Sequence, residues 1–200
     1  MRKLFVAAVL GVGLVGSASA SLAQSILPLS AEVRVGAAIP TGDFSDGVKT
    51  GSSYGATVKF SVMPMIALYG GWEQAVFKAE DDPDFQGTDV KIRDTGVRAG
   101  AELRIPLVGM VTGISPYVQA GALFNKATAS LSDDTGGSLD INSDRGLGFE
   151  VGAGAGIRIA PTISLVPEVR YRTYKPDFGD QSGDSNLSYF NVGLGVSVHL

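Results

Sequence analysis

Between Leu29 and the carboxyl terminus the chain alternates apolar and polar residues through eight stretches, and the last of them constrains the fold most. Phe190, Val192, Leu194, Val196, Val198 and Leu200 fall on one side, and Asn191, Gly193, Gly195, Ser197 and His199 on the other. Successive strand side chains point to opposite faces, so this stretch is a strand with one oily face and one small, polar face. Earlier stretches repeat the pattern with charges on the minority face. Glu32 and Arg34 alternate with Val33 and Val35, Lys59 with Val58 and Phe60, and Glu150 and Arg158 with Phe149, Val151, Ile157 and Ile159. A soluble barrel would hide its oily face. Glycine, glutamate and arginine on the minority face suit a polar lumen and an apolar wall meeting lipid.

The strands are expected at 31–40, 53–62, 66–78, 90–105, 114–127, 146–159, 163–174 and 187–200. The joints at 63–65, 106–113 and 160–162 are short. Those at 41–52, 79–89, 128–145 and 175–186 are long and polar. Alternating short and long joints trim one rim and elaborate the other, and an even strand count returns both termini to the trimmed rim. The expectation is an all-β, eight-stranded antiparallel up-and-down transmembrane β-barrel. Two places resist it. Val90 and Ile92 have the opposite phase from Val97, Ala99 and Ala101, which predicts a bulge near Asp94 or emergence above the membrane. Pro116 and Pro167 fall inside strands, where each removes a ladder donor.

Residues 1–23 read as a cleavable signal peptide. Arg2 and Lys3 form a positive start, 4–15 an apolar core too short to span a bilayer, and Ala20 or Ala23 ends a small-residue cleavage site. The expected barrel domain is 24–200. Removing Arg2 and Lys3 takes the formal charge from −4 to about −6, leaving no basic excess for nucleic acid. With 27 glycines and no cysteine, the chain suits neither a disulfide scaffold nor a helix-rich enzyme.

Projection of the inward positions gives a lumen charge network of Glu32, Arg34, Lys59, Glu73, Arg98, Glu102, Arg104, Glu150, Arg158, Glu168, Arg170 and Arg172. Eight strands enclose a space just wide enough for side chains, so these charges must pair. No catalytic constellation is expected: the single histidine, His199, sits beside the last residue, and no G-x-S-x-G, H-E-x-x-H or cysteine is present. Asp140, Asn142 and Asp144 resemble the start of a calcium loop. Gly146 then comes one position late and Glu150 one early, so loop solvation explains these residues more simply and no metal or cofactor is expected.

The glycine-rich first strand ending Ile39-Pro40-Thr41-Gly42-Asp43-Phe44, the glycine-rich strand around Gly152 and the final strand resemble the small eight-stranded outer-membrane barrels of Gram-negative bacteria, of the OmpA, OmpX and opacity-protein type. The resemblance covers essentially the whole mature chain. It implies a barrel-assembly signal at Asn191, Gly193, Val196, Val198 and Leu200, with Leu200 where the family usually has an aromatic residue. It further implies a monomer in the outer membrane, with periplasmic termini and extracellular loops. Its partners would be outer-membrane lipids and lipopolysaccharide, the barrel-assembly machinery, periplasmic chaperones and an unidentified extracellular partner. The functional expectation is a non-enzymatic structural or surface-interaction role. Two alternatives are a narrow porin-like channel for small ions or solutes, and a soluble ligand-binding barrel with the faces inverted.

Overall fold

A computed structural model of the chain describes residues 29–79, 88–105, 113–133, 138–176 and 186–200. The expected signal peptide and both its cleavage sites lie outside these residues. The strands are β1 (Leu29–Pro40), β2 (Val48–Met63), β3 (Ile66–Ala79), β4 (Thr88–Arg104), β5 (Ile114–Asp133), β6 (Ser138–Asn142), β7 (Gly146–Ala160), β8 (Ile163–Tyr174) and β9 (Leu187–His199). Every pairing is antiparallel. The ring closes where Val33 of β1 lies between Ala56 of β2 and Val196 of β9. Eight strands make the ring, and β6 flanks β5 beyond it.

Of the segment 128–145, expected as a loop, the described residues are mostly strand: 128–133 extend β5 and 138–142 form β6. β5 continues to Asp133 and pairs with β6 through Thr128–Asn142 and Leu131–Leu139. β6 and β7 run along β5 as one interrupted strand. Ser143 fills the break: its N–H donates to the Ala127 carbonyl at 2.9 Å, and its hydroxyl accepts from the Ala127 N–H at 2.9 Å. The first long joint is also shorter than expected, because β2 begins at Val48 after a 3-10 turn at Gly42–Ser45. Gly42, which opens that turn, and Gly47, just past it, have φ of 61° and 79°, a region that favours glycine.

No bulge occurs at Asp94. β4 stays in unbroken register with β3 from Lys91 to Leu103 and with β5 from Thr88 to Arg104. Val90 and Ile92 therefore point inward like Asp94 and Arg98. Ile92 packs on an apolar plug of Ala38, Ala75, Phe77, Ala127, Tyr174, Leu187 and Tyr189 that fills the lumen near the long-joint rim. The prolines are accommodated differently. The Pro116 carbonyl accepts from the Ile105 N–H at 2.9 Å just past the end of β4, so the missing donor falls at the ladder's end. Opposite Pro167 and Val166 the β7–β8 pairing lapses at Ala155 and Gly156, then resumes in the same register at Ile157–Leu165.

The faces divide as the alternation requires. Val35, Leu194 and Leu147 expose 65%, 49% and 73% of their surface on the outside, whereas Glu168 and Arg170 are buried within. That excludes the inverted, ligand-carrying barrel. Within, the Tyr69 ring lies across the paired glycines Gly100 and Gly121, where a Cβ at either position would collide with its hydroxyl. Gly121→Ala is expected to destabilise the barrel by about 1–3 kcal/mol through overpacking. Gly156→Ala, whose added carbon would meet nothing closer than 3.9 Å, is expected to stay within about 0.5 kcal/mol of wild type. Urea unfolding in lipid vesicles distinguishes the two.

Candidate functional site in the lumen

Inward positions of β1 to β4, β7 and β8 bring the charged residues into one connected chain along the barrel axis. At the short-joint rim, Arg104 Nε donates to Glu102 at 2.6 Å, and Lys59 Nζ bridges Glu102 at 2.8 Å and Glu32 at 3.0 Å. Glu32 also pairs with Arg34, which reaches Glu168. Glu168 accepts from Arg170 Nε at 2.5 Å and from the Tyr117 hydroxyl at 2.5 Å. Arg170 passes the chain to Glu73 at 2.5 Å and to Glu150 at 3.3 Å.

Glu73 and Glu150 are the hub. Glu73 accepts from Arg170, from Arg172 at 2.8 Å and from the Asn191 amide at 2.6 Å. Glu150 accepts from Arg98 at 2.7 Å and from the Tyr69 hydroxyl at 2.8 Å, while the second Arg98 nitrogen donates to Thr57 at 2.7 Å. Above the hub, Arg172 donates to the Tyr189 hydroxyl at 2.7 Å. Tyr189, Tyr174 and Asn125 all donate to Asp94, at 2.8, 2.9 and 2.8 Å. The apolar plug closes the lumen over them, with Phe44 edge-on to Phe77 at 5.1 Å and Phe77 edge-on to Tyr189 at 5.2 Å.

Eleven of the twelve projected charges thus meet in one network, and Arg158 does not. Arg158 is exposed at the short-joint rim, and among the described residues it makes no ion pair. There it lines an open vestibule of about 400 Å³ with Lys59, Arg104, Ser164 and His199. His199 Nε2 lies 3.3 Å from the Ser164 hydroxyl. Among the described residues no carboxylate orients the ring, and Arg104, Arg158 and Lys59 surround it with positive charge. A serine–histidine pair so placed lacks the third group that holds an imidazolium.

Of the positions in the assumed assembly signal, Asn191 belongs to the hub and Gly193 pairs with Gly36 and Glu168. Val196 and Leu200 are exposed outside, Val198 is half-buried, and the Leu200 N–H donates to the Leu29 carbonyl at 3.0 Å. The calcium-like spacing is not a site: Glu150 lies inside on Arg98, while Asp140 and Asn142 stand exposed on β6.

Projection of charges alone missed Asp94, Asn125 and the four buried tyrosines, Tyr69, Tyr117, Tyr174 and Tyr189. Each sits in phase with an inward charge of its own or a paired strand, so phase was the available signal. An isolated charge in this space costs more than its partner supplies, so the hub is expected to be sensitive to loss of one member. Glu73→Gln should lower unfolding free energy by about 3–5 kcal/mol. Adding Arg172→Gln should recover part of that loss, whereas Arg158→Gln alone should change little. Urea unfolding of these variants beside wild type in vesicles gives the coupling directly.

Solved structures sharing this architecture are distant in sequence. Neisserial surface protein A (NspA) is 18% identical, with 86% of this chain and 97% of that one covered and a TM-score of 0.60. Ail, the attachment invasion locus protein of Yersinia pestis, is 16% identical over 84% and 97%, with a TM-score of 0.52. A major outer membrane protein from Thermus thermophilus is 14% identical over 85% and 98%, with a TM-score of 0.52. No curated protein matches the sequence at significant similarity. The family model for the outer membrane protein beta-barrel domain matches residues 7–199, and the chain belongs to that family.

Proposed function

We propose that this outer-membrane barrel is a non-enzymatic anchor whose long connections meet the cell's surroundings while its lumen stays shut. The termini and the short turns would face the periplasm, and the rim carrying the 3-10 turn and the β5–β6 pair would face outside. The observation that carries the reading is the filled lumen. Arg170 and Arg172 are each 1% exposed, and the plug around Phe77 lies above them. A body closed this way offers no aqueous path, which leaves the connections to carry the activity, as loops on rigid scaffolds do.

The β5–β6 pair supports the same reading. It rises past the ring and holds Leu139 and Ile141 of β6 in the open, 61% and 45% exposed. Apolar side chains held above the barrel on β6, which among the described residues pairs with β5 alone, suit contact with another macromolecule. NspA and Ail are named for a surface location and for attachment and invasion, which fits a surface role for this chain.

Protease sites placed after residues 82 and 134 should be cut in intact cells, and a site placed after Leu200 should be cut only after the outer membrane is opened. Purified protein in planar bilayers should give no steady single-channel steps. Steady steps that change with Arg170→Gln would establish the transport alternative instead.

A further inference from the structure

Polar side chains from most of the ring's strands line the vestibule at the short-joint rim, among them Arg104 of β4, Arg158 of β7, Ser164 of β8 and His199 of β9. Its inner end is formed by the buried Lys59, Glu102 and Tyr117. Lys59 Nζ lies 4.8 Å from the Tyr117 ring centre and bridges Glu102 and Glu32, so the space ends blind against the ion-pair network. At about 400 Å³ it has the size of a small-molecule pocket, which runs from roughly 300 to 1,000 Å³. Gly156 keeps one wall clear: a carbon added there would meet nothing closer than 3.9 Å.

The charge in this space is unbalanced. Glu102 is engaged by Lys59 and Arg104, and Glu32 by Lys59 and Arg34. Arg158 has no carboxylate partner among the described residues, and the joints of its rim, at 63–65, 106–113 and 160–162, contain no aspartate or glutamate. With His199 neutral, the lining holds three cations against two acids, although the whole chain has a formal charge of −4. An anion is therefore drawn to the mouth by a local excess, in a recess whose walls strengthen the field. Neutral donors stand beside it. Ser164 lies opposite both Arg158 and Ser197, and its hydroxyl is 3.3 Å from His199 Nε2. Arg104 is already held by Glu102 and by the Ser61 hydroxyl at 3.0 Å, so its guanidinium is fixed in place before any ligand arrives.

We propose that this vestibule binds a small soluble phosphate monoester, with the phosphate between Arg104 and Arg158 and the hydroxyls of its organic part on the serines of β8 and β9. A phosphate group carries nearly two charges and three acceptor oxygens that point apart, so several strands can hold it at once. A carboxylate offers only two oxygens in one plane. The ligand is soluble because the cations stand inside the ring. On the outer face of the same rim Met63, Met65, Ile105 and Ile159 are exposed, and a lipid headgroup there meets apolar side chains. Binding does not depend on which compartment the mouth faces. With the short turns in the periplasm, the ligand is a periplasmic one.

The test is isothermal titration calorimetry of the barrel in an amine-oxide detergent, in phosphate-free buffer, with glycerol 3-phosphate as the probe. Wild-type protein should give saturable heat for one site. Glycerol should give none, and glycerate should bind more weakly by roughly tenfold or more, as loss of hydrogen bonds to a charged group predicts. Arg158→Gln should weaken the phosphate ester roughly 10- to 100-fold on the same grounds. Gly156→Leu, which fills the vestibule and removes no charge, should abolish binding. Lys78→Gln, which removes an exposed cation far from the vestibule, should leave it unchanged. Heat-modifiable gel migration checks that each variant is folded, and Arg158→Gln decides alone if Gly156→Leu is not. Absence of saturable heat in wild type, equal affinity for glycerate, or affinity untouched by Arg158→Gln overturns the proposal. Failure of the orientation reading looks different: the heat persists, but the protease sites after 82 and 134 stay uncut in intact cells.

Discussion

A charge inside an eight-stranded barrel has no water to retreat to, and the rest of this structure follows from that. The ring is wide enough for side chains and little else. Every inward glutamate therefore has to find guanidinium, ammonium, hydroxyl or amide donors across the lumen. The hub shows how far this goes: Glu73 takes donors from β8 and β9, and Glu150 from β3, β4 and β8. Apart from the one between the paired strands β7 and β8, these bonds tie strands that do not pair in the ladder. Once they are made, the centre is full. The small residues follow from the same constraint, since Gly100 and Gly121 leave the space that Tyr69 occupies on its way to Glu150.

The two mouths are closed by different chemistry. At the short-joint rim the network thins into Lys59, Arg104 and an exposed Arg158 around an open vestibule. At the other rim, hydroxyls take over from guanidiniums at Asp94, and aromatic rings take over from hydroxyls at Phe77 and Phe44. Polarity falls along the axis toward the long-joint rim. That gradient gives the lumen a distinct top and bottom.

Much of the ring was legible in the sequence because a period of two survives at residue level. Phe190 to Leu200 fixed one strand and the direction of its faces, and Glu150 and Arg158 fixed another. The failures have local physical causes. Val90 and Ile92 read as a phase change because an inward apolar residue looks like an outward one, and for Ile92 the plug it packs on supplies the reason. The β6 strand was hidden because Ser-Leu-Asp-Ile-Asn alternates with acids and amides like a solvated loop, and its partner lies past the expected end of β5. Arg158 shares its phase with Glu150, yet phase does not report depth, and it lies too near the rim to be enclosed. The tyrosines were invisible to a search for charge, although they complete three of the carboxylates.

An oily face that meets lipid and an ionic face sealed within can be told apart by what each touches. The chain has no cysteine, so single cysteines can be introduced for spin labels at Val35, Leu147 and Leu194 outside and at Gly152 and Ser197 inside. In lipid vesicles, relaxation by oxygen and by a water-soluble nickel chelate reports which solvent each label meets. Strong oxygen relaxation with little nickel effect is expected at the three outer sites, and little of either at the inner ones. Outer labels relaxed by nickel, or inner labels relaxed by oxygen as strongly as outer ones, would contradict a lipid-facing wall around a sealed lumen.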